Sequence, residues 1–443
     1  MDIPKGQTIV VIGGGVGGCC TALALARTQQ FQIYLLEKNG ELMRESSDVT
    51  PGRMGLGFHY ADKETALYYL HATLEFTRKY GRFRQEVGRS ETLHPLRRGR
   101  YFILKSSLVP FDEILDTYDA LKEEYTNMVS EDPSYEVFGR PEDFYRVLEP
   151  WEYQGHVATD EIEMGIETAE EFLDWSRLRR FIISQLEHFQ DKKMVEIRAN
   201  TEVTEISALE DCGVYLIKAV DLTAGGNVEI FTEVTVNASW YNIGKFNKML
   251  GISAFTMKRC NRIKAITTVQ LPEALVHMPS MFFCMGPFCM FSNKGNRVGM
   301  LTYAPETNMA TSTSEELEPE FEHVFFNLSD DEKCAKGQKI LAGVSKYIPK
   351  LKQAKLTKVK LGITQTFMDE DTIDFGLKVG NLNLLHDPDV GGIYKRNYSG
   401  VEEPRPGYII NACMKLLYCF DNAEIVKDLI LSKSAEGSGT ESN

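Results

Sequence analysis

The stretch "TIVVIGGGVGGCCTALALARTQQFQIYLLEK", residues 8–38, decides the fold of this chain. Its first part, 8–13, is a short apolar run that is rich in β-branched residues and ends in glycine, which is typical of a buried parallel strand. Residues 16–29 have the small and apolar side chains of a helix packed closely on a sheet, and 31–38 predict a second strand. This order of strand, turn, helix and strand predicts an α/β fold with a Rossmann-like parallel sheet.

The turn in this unit has the glycine spacing of a dinucleotide-binding loop, Gly13-x-Gly15-x-x-Gly18. Gly13 allows a sharp turn, Gly15 lets backbone N–H groups approach a pyrophosphate, and Gly18 lets the helix lie close to the sheet. The helix N-terminus adds unpaired N–H groups and the positive end of its dipole. We therefore assign the three glycines to nucleotide binding, although the glycine pattern alone is a weak signal.

An acidic residue closes the second strand. Glu37 follows Gly13 by 24 residues, where a carboxylate can accept hydrogen bonds from both ribose hydroxyls of a dinucleotide. A carboxylate at this point disfavours the 2′-phosphate of NADP. We assign Glu37 and the adjacent Lys38 to cofactor binding, the alternative for Glu37 being a solvated acid at a strand end. NAD and FAD both fit the motif.

The composition excludes several classes of protein. The formal net charge of −14, from 63 acids and 49 bases, would repel nucleic acid and anionic lipid. Nine cysteines without a C-x-x-C pair predict reduced thiols and a cytoplasmic protein, with non-classical export left open. The histidines show no metal-ligand spacing, so we predict no metal. We find no apolar run long enough for a membrane span, and the oligomeric state stays open.

The second informative stretch is "SSDVTPGRMGLGFHYAD", residues 46–62. It resembles the FAD-dependent oxidoreductases of the D-amino-acid oxidase family, a branch of which has a serine-containing loop, an arginine and then a glycine-aromatic-His-Tyr string. The resemblance implies FAD as the cofactor and a loop that follows the ribityl chain and the flavin ring. The residues that it assigns to FAD binding here are Ser47, Arg53 and Met54.

Three later segments resemble the same family in the expected order. They imply a strand whose backbone contacts the adenine, a segment that approaches the diphosphate from a second side, and a closing strand and helix beside the flavin. The segments, with their implied cofactor residues, are "NTEVTEI" 200–206 with Val203, "TVNASW" 235–240 with Asn237 and Ala238, and "GYIINACMKLLYCFDNA" 407–423 with Met414, Lys415 and Leu416.

The resemblance implies oxidation of a C–N or C–O bond of a small amine, amino acid or hydroxy acid, by hydride transfer to the flavin N5. The closing segment departs from the family, because Ala412, Cys413 and Met414 stand where a glycine or serine pair is usual. This departure favours an alternative of another class, an FAD-holding scaffold or interaction protein with little turnover. A third reading, an NAD-dependent dehydrogenase, would need no match at 46–62 or 407–423.

The candidate catalytic residues are His59, Tyr60 and Arg396. His59 or Tyr60 could accept a substrate proton or orient the substrate, and the alternative for His59 is a hydrogen bond within its loop. Arg396, with Tyr398 beside it, is the first candidate for a substrate carboxylate, against the alternative of a structural salt bridge. Methionine and phenylalanine in 285–295 could wall a substrate pocket or form plain β core.

The elements predict two interleaved domains, an FAD-binding domain and a substrate domain with a mixed or antiparallel sheet. We expect a helix over 168–189 with a capping box of Thr168 and Glu171, and a closing helix over 415–433. The expected limits are 1–85, 157–245 and 360–433 for the FAD-binding domain, 86–156 and 246–359 for the substrate domain, and 434–443 for a disordered tail.

Overall fold

The fold was analysed in a computed structural model of the chain. The residues that the structure describes are 7–60, 62–84, 99–107, 109–209, 213–252, 258–285, 289–312, 314, 316–368 and 398–438. All structural statements below refer to these residues.

The strands of the described part occur throughout the chain. In chain order they are β1 Gln7–Ile12, β2 Phe31–Leu36, β3 Arg53–Met54, β4 Arg100–Leu104, β5 Tyr145–Leu148, β6 Ile162–Thr168, β7 Glu171–Phe172, β8 Val195–Arg198, β9 Thr201–Leu209, β10 Val214–Asp221, β11 Asn227–Thr232, β12 Val234–Asn237, β13 Lys258–Gln270, β14 Met281–Cys284, β15 Cys289–Asn293, β16 Val298–Tyr303, β17 Asn308–Ser312, β18 Lys355–Met368, β19 Val401–Arg405 and β20 Tyr408–Asn411.

The helices alternate with these strands. They are α1 Val16–Thr28, α2 Lys63–Tyr80, α3 Phe111–Glu131, α4 Trp175–Asp191, α5 Ile243–Met249, α6 Ala304–Thr307, α7 Pro319–Glu322, α8 Asp330–Tyr347 and α9 Cys419–Ser438. Short 3₁₀ turns at Glu45–Asp48, Trp240–Asn242 and Leu416–Tyr418 adjoin the site described below.

The first sheet has six strands in the order β19-β20-β12-β1-β2-β8. Its central strands are parallel, with β1 between β2 and β12, and β20 beside β12. Residues 9–12 of β1 are fully or almost fully buried, as expected for a strand covered on both faces. Because β20 pairs with β12, the last strand of the chain ends beside the glycine turn. This arrangement confirms the predicted Rossmann-like sheet.

The second sheet is mostly antiparallel. Its order is β17-β13-β16-β15-β14-β4-β6-β5, with β18 paired along β13, and the β14–β4 pair is parallel. It confirms the predicted second sheet of mixed, largely antiparallel strands. The strand β6 belongs to this sheet although it lies inside 157–245, the range expected for the other domain. The domain limits themselves stay a prediction.

The glycine turn shows why two of its glycines are needed for the fold. Gly13 has a φ of +101°, which side chains with a Cβ rarely adopt. A Cβ added at Gly18 would lie 1.9 Å from the carbonyl oxygen of Gly13, so α1 approaches the turn closely only because residue 18 has no side chain. The buried α1 also contacts α9, which ties the closing helix to the first motif.

Two predicted helices have wrong boundaries, and the closing helix begins at Cys419 rather than at residue 415. The helix expected over 168–189 begins at Trp175, where the carboxylate of Asp174 accepts a hydrogen bond from the backbone of Arg177. Thr168 ends β6 and its hydroxyl donates to Gly99, while Glu171 lies in β7. Pairing with neighbouring strands overrides the local capping pattern. The closing helix continues to Ser438, beyond the expected end at 433, and 439–443 lie outside the described residues.

The Gly18 contact gives a test of the fold. Gly18→Ala should destabilise the protein by at least about 1–3 kcal/mol, because the added methyl group must displace α1 from the turn. The matched control is Gly226→Ala, where an added Cβ meets no atom within 4 Å and no change beyond about 0.5 kcal/mol is expected. Urea unfolding of both variants measures the difference, and equal stabilities would contradict the packing argument.

Candidate functional site

A cavity of about 830 Å³ lies at the carboxyl edge of the first sheet. The residues that directly follow four of its strands line the cavity, namely Gly13, Glu37, Ala238 and Ala412. Ligands of open α/β sheets bind at this edge. The volume lies at the upper end of the range of about 300–1,000 Å³ that is usual for ligand pockets. The opposite wall comes from β13, β15, β16 and β18 of the second sheet.

The glycine loop forms one end of the cavity and fits a diphosphate. An added Cβ at Gly15 would meet only the Ser47 hydroxyl, at 3.4 Å, so protein packing does not require glycine at this position. Since Gly15 lines the cavity, its missing side chain leaves room for a ligand beside the backbone. The N-terminus of α1 follows, with no acidic residue in its first turn, and the Ser47 hydroxyl accepts a hydrogen bond from the Val16 amide. This is a suitable cradle for an anion.

The acidic residue after β2 lies at the same end of the cavity. Glu37 is buried, and its carboxylate accepts hydrogen bonds from the amides of Gly14 and Asn39 at 2.6 and 2.8 Å. These bonds hold the carboxylate at the cavity wall. Lys38 pairs with Glu45 at 3.1 Å and also contacts the Tyr241 hydroxyl. The site therefore has an acid in a fixed position at the cavity wall.

The closing segment lies at the cavity. Lys415 precedes the 3₁₀ turn before α9, and its ammonium nitrogen is 5.1 Å from the ring centres of both Tyr60 and Tyr69. Cys413 adopts a left-handed φ of +44°, and burial raises the pKa of its thiol well above the usual value. The thiol is therefore protonated at neutral pH. Lys415 places a cation beside aromatic rings of the 46–62 loop and α2.

Aromatic side chains surround His59. Its ring centre is 3.9 Å from that of Tyr60, 5.4 Å from Tyr69 and 6.0 Å from Phe282. All four residues line the cavity, and Phe282 comes from β14 of the second sheet. We call this group, together with Lys415, the aromatic chamber. It brings an imidazole, an ammonium group and three aromatic rings into one part of the cavity.

A buried ion pair adjoins the chamber. The guanidinium group of Arg53 donates to both carboxylate oxygens of Glu170, at 2.6 and 2.9 Å, and to the Tyr101 hydroxyl at 2.7 Å. Burial alone would lower the pKa of Arg53, but the charge of Glu170, its hydrogen bonds and the neighbouring tyrosines together outweigh burial and raise the pKa above its usual value. Burial raises the pKa of Tyr101. Arg53 is therefore cationic and Tyr101 neutral.

Most of the predicted site residues lie at the cavity. Their roles in binding or catalysis stay predictions, but the structure brings them together from distant parts of the chain. Those that line the cavity are Gly13, Gly15, Glu37, Lys38, Ser47, Arg53, His59, Tyr60, Val203, Ala238, Met414, Lys415 and Leu416.

The remaining predicted residues lie elsewhere. Gly18 and Met54 do not line the cavity, since Gly18 packs against the turn and Met54 is buried in the core. The amide of Asn237 donates to the Tyr408 hydroxyl at 2.7 Å, so this side chain joins β12 to β20. Arg396 lies outside the described residues. The hydroxyl of its neighbour Tyr398 donates to the carbonyl of Val401.

Sequence reasoning missed several residues of the site. Glu170 was hidden because 168–189 was interpreted as a helix. Arg262 and Lys264 line the cavity from one face of β13, and their alternate spacing in "NRIKAI" was the available signal. In the described part of 285–295, Met290 lines the cavity and Phe291 is fully buried in the second core.

The chain belongs to the family of FAD dependent oxidoreductases. The model of that family, DAO, matches residues 8–386, which is most of the chain. No curated protein matches the sequence. The glycine cradle, the fixed acid and the second-sheet wall fit the cofactor that the family uses, so the protein is an FAD-dependent oxidoreductase.

Solved structures of flavoenzymes share the fold over nearly their full lengths. L-proline dehydrogenase from P. horikoshii is similar with a TM-score of 0.60 and 14% identity, covering 97% of this chain and 94% of that one. L-amino acid deaminase from Proteus vulgaris gives 0.60 and 15%, covering 98% and 95%. Dithionite-reduced L-alpha-glycerophosphate oxidase from Mycoplasma pneumoniae with FAD bound gives 0.59 and 16%, covering 96% and 95%. Similarity at these identities establishes the fold alone.

The described part of the chain shows neither a metal site nor a membrane-spanning helix. It contains no group of three or more His, Cys, Asp or Glu side chains placed to hold a metal ion. None of its helices has the length and apolar composition needed to cross a membrane.

Cys19 and Cys20 are buried in α1, and burial raises the pKa of both thiols. This supports a packing role for the two side chains rather than a reactive thiolate.

The fixed acid gives a test of the cofactor site. Glu37→Ala should weaken FAD binding by about 1–3 kcal/mol, because the ribose hydroxyls would lose a buried acceptor. Glu41→Ala is the matched control, since Glu41 is an exposed acid of the same loop that pairs only with Arg44 among the described residues. Fluorescence titration of the apoprotein with FAD measures both. Equal affinities would contradict the ribose assignment.

Proposed function

We propose that this protein oxidises a C–N or C–O bond of a small amine, amino acid or hydroxy acid, by hydride transfer to the flavin N5. The observation that carries the proposal is the aromatic chamber, which combines His59 and Lys415 with three aromatic rings at one cavity. Relatives of the same fold are named as a proline dehydrogenase and an amino acid deaminase, which supports an amino or related compound.

The residues that would hold FAD are those of the glycine loop, Glu37 and the closing segment. When it is bound, FAD supplies a two-electron acceptor for a hydride. The rings of Tyr60, Tyr69 and Phe282 would exclude water from the reacting C–H bond and fix its position. Lys415 would stabilise negative charge that develops beside the chamber.

His59 is the residue suited to the proton of the reaction. Oxidation of a CH–NH or CH–OH group removes a hydride from carbon and a proton from nitrogen or oxygen, and leaves an imine or a carbonyl. A neutral imidazole nitrogen can accept that proton. The ring is held against Tyr60 and Tyr69, so its position in the chamber is defined. Oxygen or another acceptor would then complete the cycle.

The scaffold alternative rests on the closing segment. Cys413 has a left-handed backbone at the point where the family usually has a glycine or serine pair. Its Cβ atom lies 2.9 Å from the position that a Cβ added to Gly17 would take. An altered backbone at this point could leave FAD bound without turnover. Anaerobic mixing of the yellow protein with amines, amino acids and hydroxy acids separates the two functions, because only an oxidoreductase bleaches the flavin absorbance.

Variants of the chamber test its role directly. His59→Gln should slow flavin reduction by the best substrate about 100-fold, the usual effect of losing a positioned base. Tyr60→Phe tests whether the hydroxyl contributes. The matched control is His71→Gln, since His71 lies outside the cavity and pairs with Glu124 on the surface. If stopped flow gives the same rate of flavin reduction in all three variants, His59 and Tyr60 only maintain the structure of the loop.

A further inference from the structure

Three side chains at the cavity form a closed set of hydrogen bonds. The ammonium group of Lys38 donates to the carboxylate of Glu45 at 3.1 Å and also to the hydroxyl of Tyr241. That hydroxyl in turn donates to the second carboxylate oxygen of Glu45 at 2.8 Å. The ammonium nitrogen also lies 5.0 Å from the ring centre of Tyr241. We call these three residues, which come from separate segments of the chain, the side-chain gate.

The gate lies beside the fixed acid, at the border between the cavity and water. The side-chain amide of Asn39 donates to Glu37 at 2.6 Å and to Glu45 at 3.3 Å, so the two carboxylates are neighbours. All three gate residues line the cavity. The side chains of Lys38 and Glu45 are also 29% and 23% exposed, which places them between the ligand space and the solvent.

The backbone next to the gate is held by the second sheet. The amide of Ile363 in β18 donates to the hydroxyl of Ser46 at 2.9 Å, and Ser46 directly follows Glu45. The carbonyl of the same residue accepts from the indole of Trp240 at 3.0 Å, and Trp240 directly precedes Tyr241. One residue of β18 therefore fixes both neighbours. Opening of the gate needs rotation of side chains, without movement of either sheet.

Two backbone positions at the gate are strained. Glu45 has a φ of +53° and Trp240 has a φ of +60°, in the left-handed region that residues with large side chains rarely adopt. Such strain persists only where surrounding contacts compensate for it, and it is common at ligand clamps and switch segments. The hydrogen bonds of the gate and of Ile363 supply such contacts.

We propose that the side-chain gate controls the entry and release of FAD at this end of the cavity. In the closed form, Lys38 and Glu45 extend along the border of the cavity to Tyr241. Once their hydrogen bonds break, these two flexible side chains can turn into water. The ring of Tyr241 stays in the second core, 6.0 Å from the ring centre of Phe325. This proposal goes beyond the oxidation proposed above, because it concerns exchange of the cofactor.

The test measures FAD exchange in both directions. Protein loaded with radiolabelled FAD is mixed with excess unlabelled FAD, and rapid gel filtration follows the release. Stopped-flow fluorescence of FAD follows its uptake by the apoprotein. Tyr241→Phe and Glu45→Gln should each speed both release and uptake about tenfold, because each variant weakens a hydrogen bond to a charged group that holds the gate closed.

The two rates distinguish a gate from a simple contact with FAD. A side chain that only binds FAD changes the rate of release, whereas a gate changes the barrier and therefore both rates. Faster release with unchanged uptake would overturn the proposal. Unchanged release and uptake in both variants would overturn it as well.

The matched control is Tyr135→Phe. Arg78, Glu75 and Tyr135 form the same combination of cation, acid and phenol, but they do not line the cavity. This variant should exchange FAD at the rate of the unaltered protein. An equal acceleration in Tyr135→Phe would overturn the proposal, since loss of any such hydrogen bond would then have the same effect.

The choice of variants protects the test from a folding failure. Tyr241→Phe keeps the ring that packs in the second core, and Glu45→Gln keeps the shape of its side chain, so each variant tests the gate if the other does not fold. Circular dichroism verifies the fold of each. The test needs no substrate. A failure to find any oxidised compound would therefore contradict the proposed function without altering this result.

Discussion

The close approach of α1 to the turn after β1 is the contact on which the site depends. At Gly18 the helix lies so near the Gly13 carbonyl that no side chain fits, and this places the helix N-terminus at the carboxyl edge of the sheet. The pairing of β1 with β2 and β12, and of β12 with β20, brings four strand ends to the same edge. The cradle, the fixed acid and the closing segment then meet although they are far apart in sequence.

The second sheet forms the other wall of the cavity at this edge. It supplies Phe282 to the aromatic chamber and Tyr101 to the ion pair of Arg53 and Glu170. That ion pair joins β3 to the segment that links β6 and β7, so it fixes the 46–62 loop to the sheet. The loop carries His59 and Tyr60, and its position is thus set both by this remote ion pair and by the hydrogen bond of Ser47 to the Val16 amide at the glycine motif.

The sequence was most informative where the signal is local. The strand, turn and helix at 8–38 and the closing strand are recognisable because their glycines and apolar runs have a direct steric meaning. The helix expected at 168–189 was wrong over 168–174, since pairing of β6 and β7 with other strands outweighs a capping pattern. Glu170 could not be found for the same reason. Its partner lies 117 residues away, and no local pattern indicates such a pair.

The buried ion pair also bears on how an acidic protein could accept an acidic substrate. Removing one partner of such a pair lowers the free energy of unfolding strongly, but the intact pair contributes little net stability. The pair therefore serves to orient the guanidinium group. The net charge of −14 acts weakly inside a cavity, because charges beyond about 8 Å are screened at physiological ionic strength. The local field is then set by the charged groups that line the cavity, which include the cations Arg53, Lys415, Arg262 and Lys264 and the acids Glu37, Glu45 and Asp62. Binding of an anionic group by this protein would therefore depend on the balance of these cations and acids at the cavity rather than on the net charge of the chain.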